Sequence, residues 1–389
     1  PFGSLIFQRK EFFMKTLKGK ATSAIIFNTD TKDHSIDNYA LAQLQNLCDN
    51  PAFSGCKIRV MPDVHPGKVG TIGFTSTLGD SILPNVIGID IGCGITLAKV
   101  TGKINNFQKL DTVIRDKVPS GFSLRKNIHH KAETFDLSSL LCYKHIRTEH
   151  SLLSLGTLGG GNHFIELDRD TEGSYYLAVH SGSRHLGVEV TEHYLREGQQ
   201  SLKNNEIDIP YELTYLTGDL MQQYLHDLSI VQDFATLNRE IIIAEICKGM
   251  KWKISDSYSC IHNYVDFTGN TPIIRKGAIS AKSGEQVVVP INMRDGIILG
   301  TGLGNDEWNQ SAPHGSGRIM TREGIKSNYT LSSYKKEMKG IYSSCINKKT
   351  LDEAPFAYRG IREIMDVIGE TVKIEKVITP VYNFKADGN

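Results

Sequence analysis

Five side chains that can bind a transition metal lie in short polar stretches of this chain. Asp90 and Cys93 are three residues apart in GIDIGCG, so a tight turn would direct a carboxylate and a thiolate at one cation. Three histidines lie beside strand-like or glycine-rich runs, namely His163 in LGGGNHFIE, His180 in VHSGSR and His262 in CIHNY. This donor set is typical of Zn²⁺, Mn²⁺ or Fe²⁺ sites. Each histidine alone is equally consistent with a hydrogen-bonded residue at a strand end, because the five positions are widely scattered along the sequence.

Glycine clusters form a second group of segments that could take part in binding or catalysis. The backbone N–H groups of GTLGGGNHF, GTGLGN and HGSGR could bind phosphate oxygens. None of the three fits the phosphate-loop pattern GxxxxGK[ST], and tight turns explain GTGLGN better than a nucleotide site does. HGSGR differs, because His314 and Arg318 flank its glycines and could present a nucleophile and a guanidinium to the same anion.

The composition narrows the class of protein. The 389 residues are 40% hydrophobic and 22% charged, which excludes disordered, collagen-like and coiled-coil architectures. The formal net charge is only +1, so any site for a polyanion must be a local patch. Seven scattered cysteines without a CxxC pair argue against a disulfide framework or a zinc ribbon, and they predict a reducing, cytoplasmic setting. No apolar run reaches the roughly 18 residues of a membrane span.

Hydrophobic periodicity predicts the elements that must position these groups. The expected strands are 22–27, 57–60, 94–100, HFIEL, YYLAVH and a β region over 272–318, and the expected helices are 36–49, 190–253 and 361–369. Glycine-rich β segments on both sides of a helical block predict one interwoven α+β domain over residues 14–389. Residues 1–13 precede Met14 and are interpreted as a tag or an upstream extension.

Seven segments in order along the chain resemble the motifs of the RtcB family of RNA ligases. They are MPDVHPGK, GIDIGCG, LGGGNHFIE, VHSGSR, HNY, KGAISAKSGE and HGSGR. The resemblance runs from about Met61 to Arg318 and extends to Lys385 near the C-terminus, and the chain is similar to a shorter, divergent branch of the family. It implies a β-sheet core with surrounding helices. It also implies an enzyme that uses GTP and two Mn²⁺ ions to join RNA 3′-phosphate or 2′,3′-cyclic phosphate ends to 5′-hydroxyl ends, in RNA repair or tRNA splicing.

The resemblance also implies roles for individual residues. Asp90, Cys93 and His262 would hold one Mn²⁺, and Cys93, His163 and His180 would hold the second, with the Cys93 thiolate bridging the two ions. His314 would be the nucleophile that takes GMP from GTP as a phosphoramidate. The implied nucleotide contacts are Asn162, His163, Phe164, Ile165, Glu166, His262, Asn263, Pro290, Asn292, Met293, His314, Gly315, Gly317, Arg318 and Lys385.

Two of these contacts match the chemistry of guanine. Glu166 would accept from the N1–H and N2–H₂ donors, and Lys385 would donate to O6. Taken alone, Lys385 reads as a lysine of a frayed tail. The chain departs from the family in PINMRDG (290–296), where a glycine- and serine-rich nucleotide loop is common, and in His185, where glycine is common.

The RNA contacts are predicted from local charge. Arg184 is the predicted contact for the RNA terminal phosphate, because a guanidinium binds phosphate in a bidentate manner. Two basic stretches are further candidates, and a solvated charged face is the simpler explanation for the second: Arg125, Lys126, His129, His130, Lys131, Lys144 and Arg147, then Lys335, Lys336 and Lys339.

Two other functions are compatible with the same residues. A metal-dependent RNA cyclic phosphodiesterase would use the cations to hydrolyse a cyclic phosphate, without needing the histidine of HGSGR. A non-catalytic RNA-binding protein would use the metal only to stabilise its fold. We expect a monomer, with RNA and GTP as binding partners and no membrane association.

Overall fold

Alternating apolar residues build two large β-sheets in residues 13–28 and 36–386, the part of the chain that the computed structural model describes. In chain order the strands are β1 (Phe13–Lys18), β2 (Ser23–Asn28), β3 (Ile58–His65), β4 (Ile72–Thr77), β5 (Ser81–Ile82), β6 (Gly94–Thr101), β7 (Phe164–Arg169), β8 (Tyr175–Ser181), β9 (Leu216–Thr217), β10 (Lys253–Ile261), β11 (Asn263–Asp266), β12 (Ile273–Lys276), β13 (Ala278–Ser280), β14 (Gln286–Asn292), β15 (Gly296–Gly302), β16 (Ser311–Pro313) and β17 (Val372–Lys385). The helices are α1 (Asn38–Asp49), α2 (Pro84–Ile87), α3 (Phe107–Lys117), α4 (Thr148–Ser154), α5 (Arg184–Asn204), α6 (Gly218–Met250), α7 (Arg322–Asn328), α8 (Leu331–Glu337) and α9 (Ile361–Ile368).

The two sheets interleave segments that are distant in the sequence. One sheet has the strand order β1-β2-β3-β4-β12-β11, and the other has the order β10-β6-β8-β7-β17-β15-β14. Short ribbons of β13 with β16 and of β5 with β9 accompany them. Because β10 and β11 follow one another but belong to different sheets, the residue between them lies where the sheets meet.

The seven-stranded sheet is covered by apolar core on both faces. Ile95 and Leu97 of β6 pack on one face with residues of β14, β15 and α9. Ala98 and Val100 point to the opposite face and pack with residues of α3 and α6. This alternation follows from the two-residue period of a strand, and it decides which side chains of β7 and β8 can face a cavity on either side.

The helical block is dominated by α6, which has 33 residues and buries side chains along its whole length. It packs against α3, α5 and strands of the seven-stranded sheet. Asp37 caps α1 by accepting a hydrogen bond from the Tyr39 N–H, and Pro51 follows soon after this helix ends. The helices therefore support the sheets from outside, while the sheets carry the segments that concern function.

The predicted α+β fold is confirmed, with each expected strand and helix found near its predicted position. The expected helical stretch 190–253 is two helices, because a segment containing β9 separates α5 from α6. The proposed extension over residues 1–13 lies almost wholly outside the described residues, and the domain boundary at Met14 stays a prediction. All seven cysteines are free and buried. In the described ranges, no helix has the length and apolar character needed to cross a membrane.

Candidate active site

Four segments bring the predicted metal ligands together at one end of the seven-stranded sheet. Asp90 and Cys93 lie in the turn between α2 and β6, where the Cys93 N–H donates to the Asp90 carbonyl at 3.2 Å. His180 lies at the end of β8, and His163 lies just before β7. His262 lies between β10 and β11, and its N–H donates to the Cys93 carbonyl at 2.8 Å. These strands are neighbours in the sheet, so residues remote in sequence converge.

The five side chains form two groups that share Cys93. One group contains Asp90, Cys93 and His163, the other contains Cys93, His180 and His262, and the ligand atoms of each group lie within 4.8 Å of one another. Cys93 Sγ lies 3.5 Å from His163 Nε2 and 3.4 Å from His180 Nε2. The distance is 3.0 Å from His163 Nε2 to Asp90 Oδ2 and 3.4 Å between the Nε2 atoms of His180 and His262.

This grouping by distance differs from the division implied by the family resemblance. That division placed His262 with Asp90 and His163 with His180, whereas the structure exchanges the two histidines. The reason is local, because the Leu158 carbonyl holds His163 Nδ1 at 2.9 Å and turns Nε2 toward Asp90. The shared position of Cys93 agrees with the prediction.

The donor set fits divalent transition-metal ions. His163 and His180 each direct Nδ1 at a backbone carbonyl, which must accept, so their Nε2 atoms present lone pairs to the cluster. Burial lowers the pKa of His180 and of His262 well below the ordinary value, so both rings are neutral. Burial also raises the pKa of the Cys93 thiol well above its ordinary value, so its thiolate needs a cation beside it. Converging lone pairs of N, O and S favour Mn²⁺ or Zn²⁺ over Mg²⁺.

The fully buried guanidinium of Arg239 holds the backbone next to two of the predicted ligands. Arg239 of α6 donates from Nη1 to the carbonyls of Gly92 and Ser181, at 2.8 Å and 2.9 Å. Gly92 precedes Cys93 and Ser181 follows His180, so one side chain fixes the backbone beside a ligand of each segment. The charge of Arg239 also lies close enough to act on the Cys93 sulfur.

The five predicted metal ligands form what we call the cation cluster. His314 lies next to this cluster, and its ring is held by a carboxylate. It follows β16, and its Nδ1 donates to Asp63 Oδ2 of β3 at 2.7 Å. Its ring centroid lies 4.8 Å from that of His262. Gly317 is required nearby, because it has φ +71° and a Cβ there would lie 2.7 Å from the Asp63 carbonyl oxygen. With its proton on Nδ1, His314 carries its lone pair on Nε2.

A cavity of about 420 Å³, a typical size for a small-molecule site, opens beside His314 and is also lined by the predicted metal ligands His180 and His262. Twelve of the predicted nucleotide contacts line it, namely Asn162, Phe164, Glu166, His262, Pro290, Asn292, Met293, His314, Gly315, Gly317, Arg318 and Lys385. Strand register explains part of this set, since Ile95, His180, Phe164 and Lys385 are paired across adjacent strands. PINMRDG, the atypical segment, forms the turn between β14 and β15 at the cavity wall.

Three predicted nucleotide contacts do not line the cavity. His163 lies in the cation cluster instead. Ile165 points to the opposite face of β7 and packs in the core with Leu167, because side chains alternate along a strand. Asn263 supports the metal-binding turn, since its Nδ2 donates to the Asp90 carbonyl at 3.1 Å.

Buried charged groups surround the end of the cavity where Glu166 lies. Burial raises the pKa of Glu166 to about 7, although a 2.6 Å hydrogen bond from Asn383 opposes this shift. Burial likewise raises the pKa of the neighbouring Asp168 well above its ordinary value. Lys385 donates to Glu353. Burial would raise the pKa of Glu353, but nearby cations led by Lys385 lower it to about 2. Glu353 is therefore a carboxylate that holds the Lys385 ammonium beside the cavity.

Comparison with known proteins identifies the family of this chain. The family model described as tRNA-splicing ligase RtcB matches residues 43–145 and 134–386. The chain belongs to the RtcB family. RNA-splicing ligase RtcB of Escherichia coli K12 is 28% identical over 382 residues, covering 88% of this chain and 93% of the relative. RNA-splicing ligase RtcB1 of another Escherichia coli strain gives the same values. The tRNA-splicing ligase RtcB of Nanoarchaeum equitans is 25% identical over 412 residues, covering 82% and 85%.

From the sequence, no role was predicted for several residues that surround this site. Asp63, His65 and Lys68 belong to MPDVHPGK, which was recognised as a motif without assigning the Asp63 carboxylate to His314. Asn383 lies two residues before Lys385 on β17, so strand periodicity could have found it. Arg322, Glu353 and Tyr358 also line the cavity, and no local pattern marks them.

The basic residues predicted to bind RNA separate into different environments. Arg184 lies outside the cavity, where its Nη2 donates to the Gly121 carbonyl at 3.3 Å. Arg125 and His129 are not free for RNA, because both contact Glu245 and His129 is buried. Arg147 of the first stretch pairs with Glu189. The other residues of that stretch are exposed, namely Lys126, His130, Lys131 and Lys144. Lys335, Lys336 and Lys339 are exposed on and after α8.

Proposed function

We propose that this protein is a GTP- and Mn²⁺-dependent RNA ligase that works through a covalent His314–GMP intermediate. It joins an RNA 3′-phosphate, or a 2′,3′-cyclic phosphate after hydrolysis, to a 5′-hydroxyl, in RNA repair or tRNA splicing. The observation that carries the proposal is the position of His314. Its ring is oriented by Asp63, lies beside the ligand His262 and faces a cavity lined by potential nucleotide contacts.

Two Mn²⁺ ions would be held by the two groups of ligands that share Cys93. Asp90, Cys93 and His163 would hold one ion, and Cys93, His180 and His262 would hold the other. When bound, such cations neutralise the charge that develops on phosphate oxygens. Arg239 and the backbone carbonyls that orient the imidazoles keep the ligand atoms directed at the ions.

The nucleophilic step follows from the hydrogen bonding of His314. Its Nε2 lone pair attacks the α-phosphorus of GTP, the bond to the β-phosphate oxygen breaks, and pyrophosphate leaves. The ring then carries positive charge, and its Nδ1 proton remains hydrogen-bonded to Asp63, which stabilises that charge. Transfer of the guanylyl group to an RNA 3′-phosphate would give that phosphate a leaving group, GMP, for attack by the 5′-hydroxyl.

Guanine would lie at the end of the cavity that contains Glu166 and Lys385. The Glu166 carboxylate would accept from the N1–H and N2–H₂ donors, and the Lys385 ammonium would donate to O6. Asn383 fixes one Glu166 oxygen at 2.6 Å, and Glu353 fixes Lys385, so both groups are oriented before the base arrives. Arg318 would contact phosphate, since it lines the cavity beside the glycines of HGSGR.

The test is covalent labelling. Protein incubated with Mn²⁺ and GTP labelled at the α-phosphate should retain label after denaturation, and the label should be lost in acid but not in alkali, as expected of a phosphoramidate. His314→Ala should abolish the label and should keep Mn²⁺ binding. His145→Ala, a change of an exposed histidine outside the cavity, should leave labelling unchanged. A wild-type protein that opens a cyclic phosphate but never becomes labelled would favour the phosphodiesterase.

A further inference from the structure

Phe122 is the most exposed large apolar side chain among the described residues, with 86% of its surface accessible. It lies in a tight turn in which the Ser123 N–H donates to the Ser120 carbonyl at 3.2 Å. Gly121 occupies the preceding position with φ +63°, a conformation that glycine adopts without strain. The turn therefore presents the aromatic ring to solvent.

This turn is fixed to the loop that leads into the cation cluster. The Gly121 N–H donates to the Gly159 carbonyl at 2.9 Å, and the Leu158 N–H donates to the Pro119 carbonyl at 2.8 Å. On its other side the Gly121 carbonyl accepts from Arg184 Nη2 at 3.3 Å. The ring thus projects from a backbone held at three points, so little conformational freedom would be lost when a ligand covers it.

The same side of the cluster opens to solvent. The Asp90 side chain is 30% exposed, compared with 5% for His163. Gly161 and Asn162 are exposed on the loop beside the turn. Arg184 lies close enough to Asp90 for its charge to stabilise that carboxylate. Neither Asp90 nor Arg184 lines the nucleotide cavity, so a second ligand can approach the cations from this side while the cavity is occupied.

We propose that Phe122 is a stacking platform for the nucleobase that carries the RNA 3′-phosphate, with Arg184 binding that phosphate. The assignment rests on the proposed ligase function and specifies its substrate as an RNA whose 3′-terminal base is unpaired and free to stack. Aromatic rings stack on any base, so this contact would select single-stranded ends without selecting a sequence. The Arg184 guanidinium contacts the carbonyl of Gly121, the residue directly before Phe122, so one short turn carries both groups.

The surroundings of Phe122 favour RNA over a protein partner. The exposed residues that follow it in the sequence, Ser123, Lys126 and Asn127, are polar or basic. A protein-docking surface usually needs a contiguous apolar patch, and a single ring among polar side chains does not form one. Lys126 would instead add attraction for the phosphate backbone.

The test measures binding of a short single-stranded RNA with a 3′-phosphate and a fluorescent 2-aminopurine as its terminal base. Stacking on Phe122 should quench the fluorescence of wild-type complexes. Phe122→Ala should weaken binding roughly tenfold and raise KM for the RNA by a similar factor. Phe122→Trp should restore both. Tyr39→Ala, which removes another exposed aromatic ring from α1, should change neither.

A second RNA that lacks the terminal base isolates the stacking contact. Wild-type protein should bind it about as weakly as Phe122→Ala binds the intact RNA, and the variant should show no further loss. Equal RNA affinity and KM for wild type and Phe122→Ala would overturn the proposal, as would an equal loss on both RNAs. Labelling by GTP should be unchanged in Phe122→Ala. Failure of wild-type labelling would instead refute the ligase function, independently of the binding result.

Discussion

At the scale of single residues, the hydrogen-bond partner of Nδ1 differs between the histidines of the site and suggests a different chemical role for each. His163 and His180 direct Nδ1 at backbone carbonyls, whereas His314 directs Nδ1 at the Asp63 carboxylate. A carbonyl fixes the tautomer of a metal ligand without adding charge. A carboxylate also stabilises a ring that becomes positively charged, which is the requirement of a nucleophile that accepts a phosphoryl group. The partner of Nδ1 therefore distinguishes the proposed nucleophile from the proposed metal ligands.

Asp63→Asn should slow formation of the GMP adduct by roughly 10²-fold or more, because the amide cannot stabilise the charged ring and can favour the wrong tautomer. Single-turnover labelling with GTP measures the rate. Mn²⁺ affinity should be unchanged, since Asp63 is not in either ligand group. An adduct rate equal to that of wild type would remove Asp63 from the reaction.

Nucleotide selectivity should depend on pH through Glu166. Its raised pKa of about 7 means that the carboxylate prevails above this pH and the acid below it. The groups that face Glu166 do not account for this pH dependence. The pKa of Asp168 is raised well above its usual range, and Asn383 is uncharged. Lys385 already pairs with Glu353. As the pH falls from 8 to 6, an O–H donor replaces one acceptor, which disfavours guanine and suits adenine N1. The ratio of GTP to ATP labelling should therefore fall.

The ratio itself provides the control for that experiment. Both nucleotides use the same His314 and the same cations, so titration of those groups cancels. Glu166→Gln should give a lower ratio that no longer varies with pH. A wild-type ratio that is flat between pH 6 and pH 8 would assign Glu166 a structural role only.

At the scale of elements, periodicity predicted the helices and most strands but not the strand that completes the site. The apolar stripe of α6, with Met221, Tyr224, Leu228 and Val231, is buried as predicted. β17 was not predicted, although it pairs with both β7 and β15. Sequence position alone therefore made Lys385 a tail residue. Its register opposite Phe164 is a long-range pairing that no local pattern can show.

Arg239 joins α6 to the backbone of the cation cluster. Replacing Arg239 should therefore weaken metal binding, although Arg239 itself is not a predicted ligand. Arg239→Met keeps an unbranched side chain but leaves the Gly92 and Ser181 carbonyls without their donor, at about 1–3 kcal/mol for each buried group. We expect a lower Tm and weaker Mn²⁺ binding by calorimetry, with partial recovery in Arg239→Lys. Arg115→Met, which changes a half-exposed arginine of α3, should not affect Mn²⁺ affinity. An unchanged Mn²⁺ affinity in Arg239→Met would refute the supporting role.

At the scale of the whole molecule, the site depends on chain segments from β3 to β17, and this limits what the sequence could predict. The residue types suggested a metal site, and the family resemblance supplied the set of five ligands. Neither predicts how the five side chains group by distance, because that grouping depends on the Leu158 carbonyl that orients His163. The family resemblance implied Ile165 and Asn263 as nucleotide contacts. Strand alternation and the Asp90 turn give them structural positions instead.

Because the two ligand groups join loops from both sides of β6, Mn²⁺ should stabilise the whole fold. A ligand that binds only the folded state at 100 times its Kd adds about 2.7 kcal/mol, which for a chain of this length raises Tm by about 3 °C. Scanning calorimetry with Mn²⁺ and with a chelator measures the difference. Cys93→Ala should abolish it, since Cys93 belongs to both groups. Cys247→Ala, which changes a buried core cysteine of α6, should lower Tm in both conditions and keep the difference. If Cys93→Ala retained the full increment, the shared thiolate would not be a ligand of either ion.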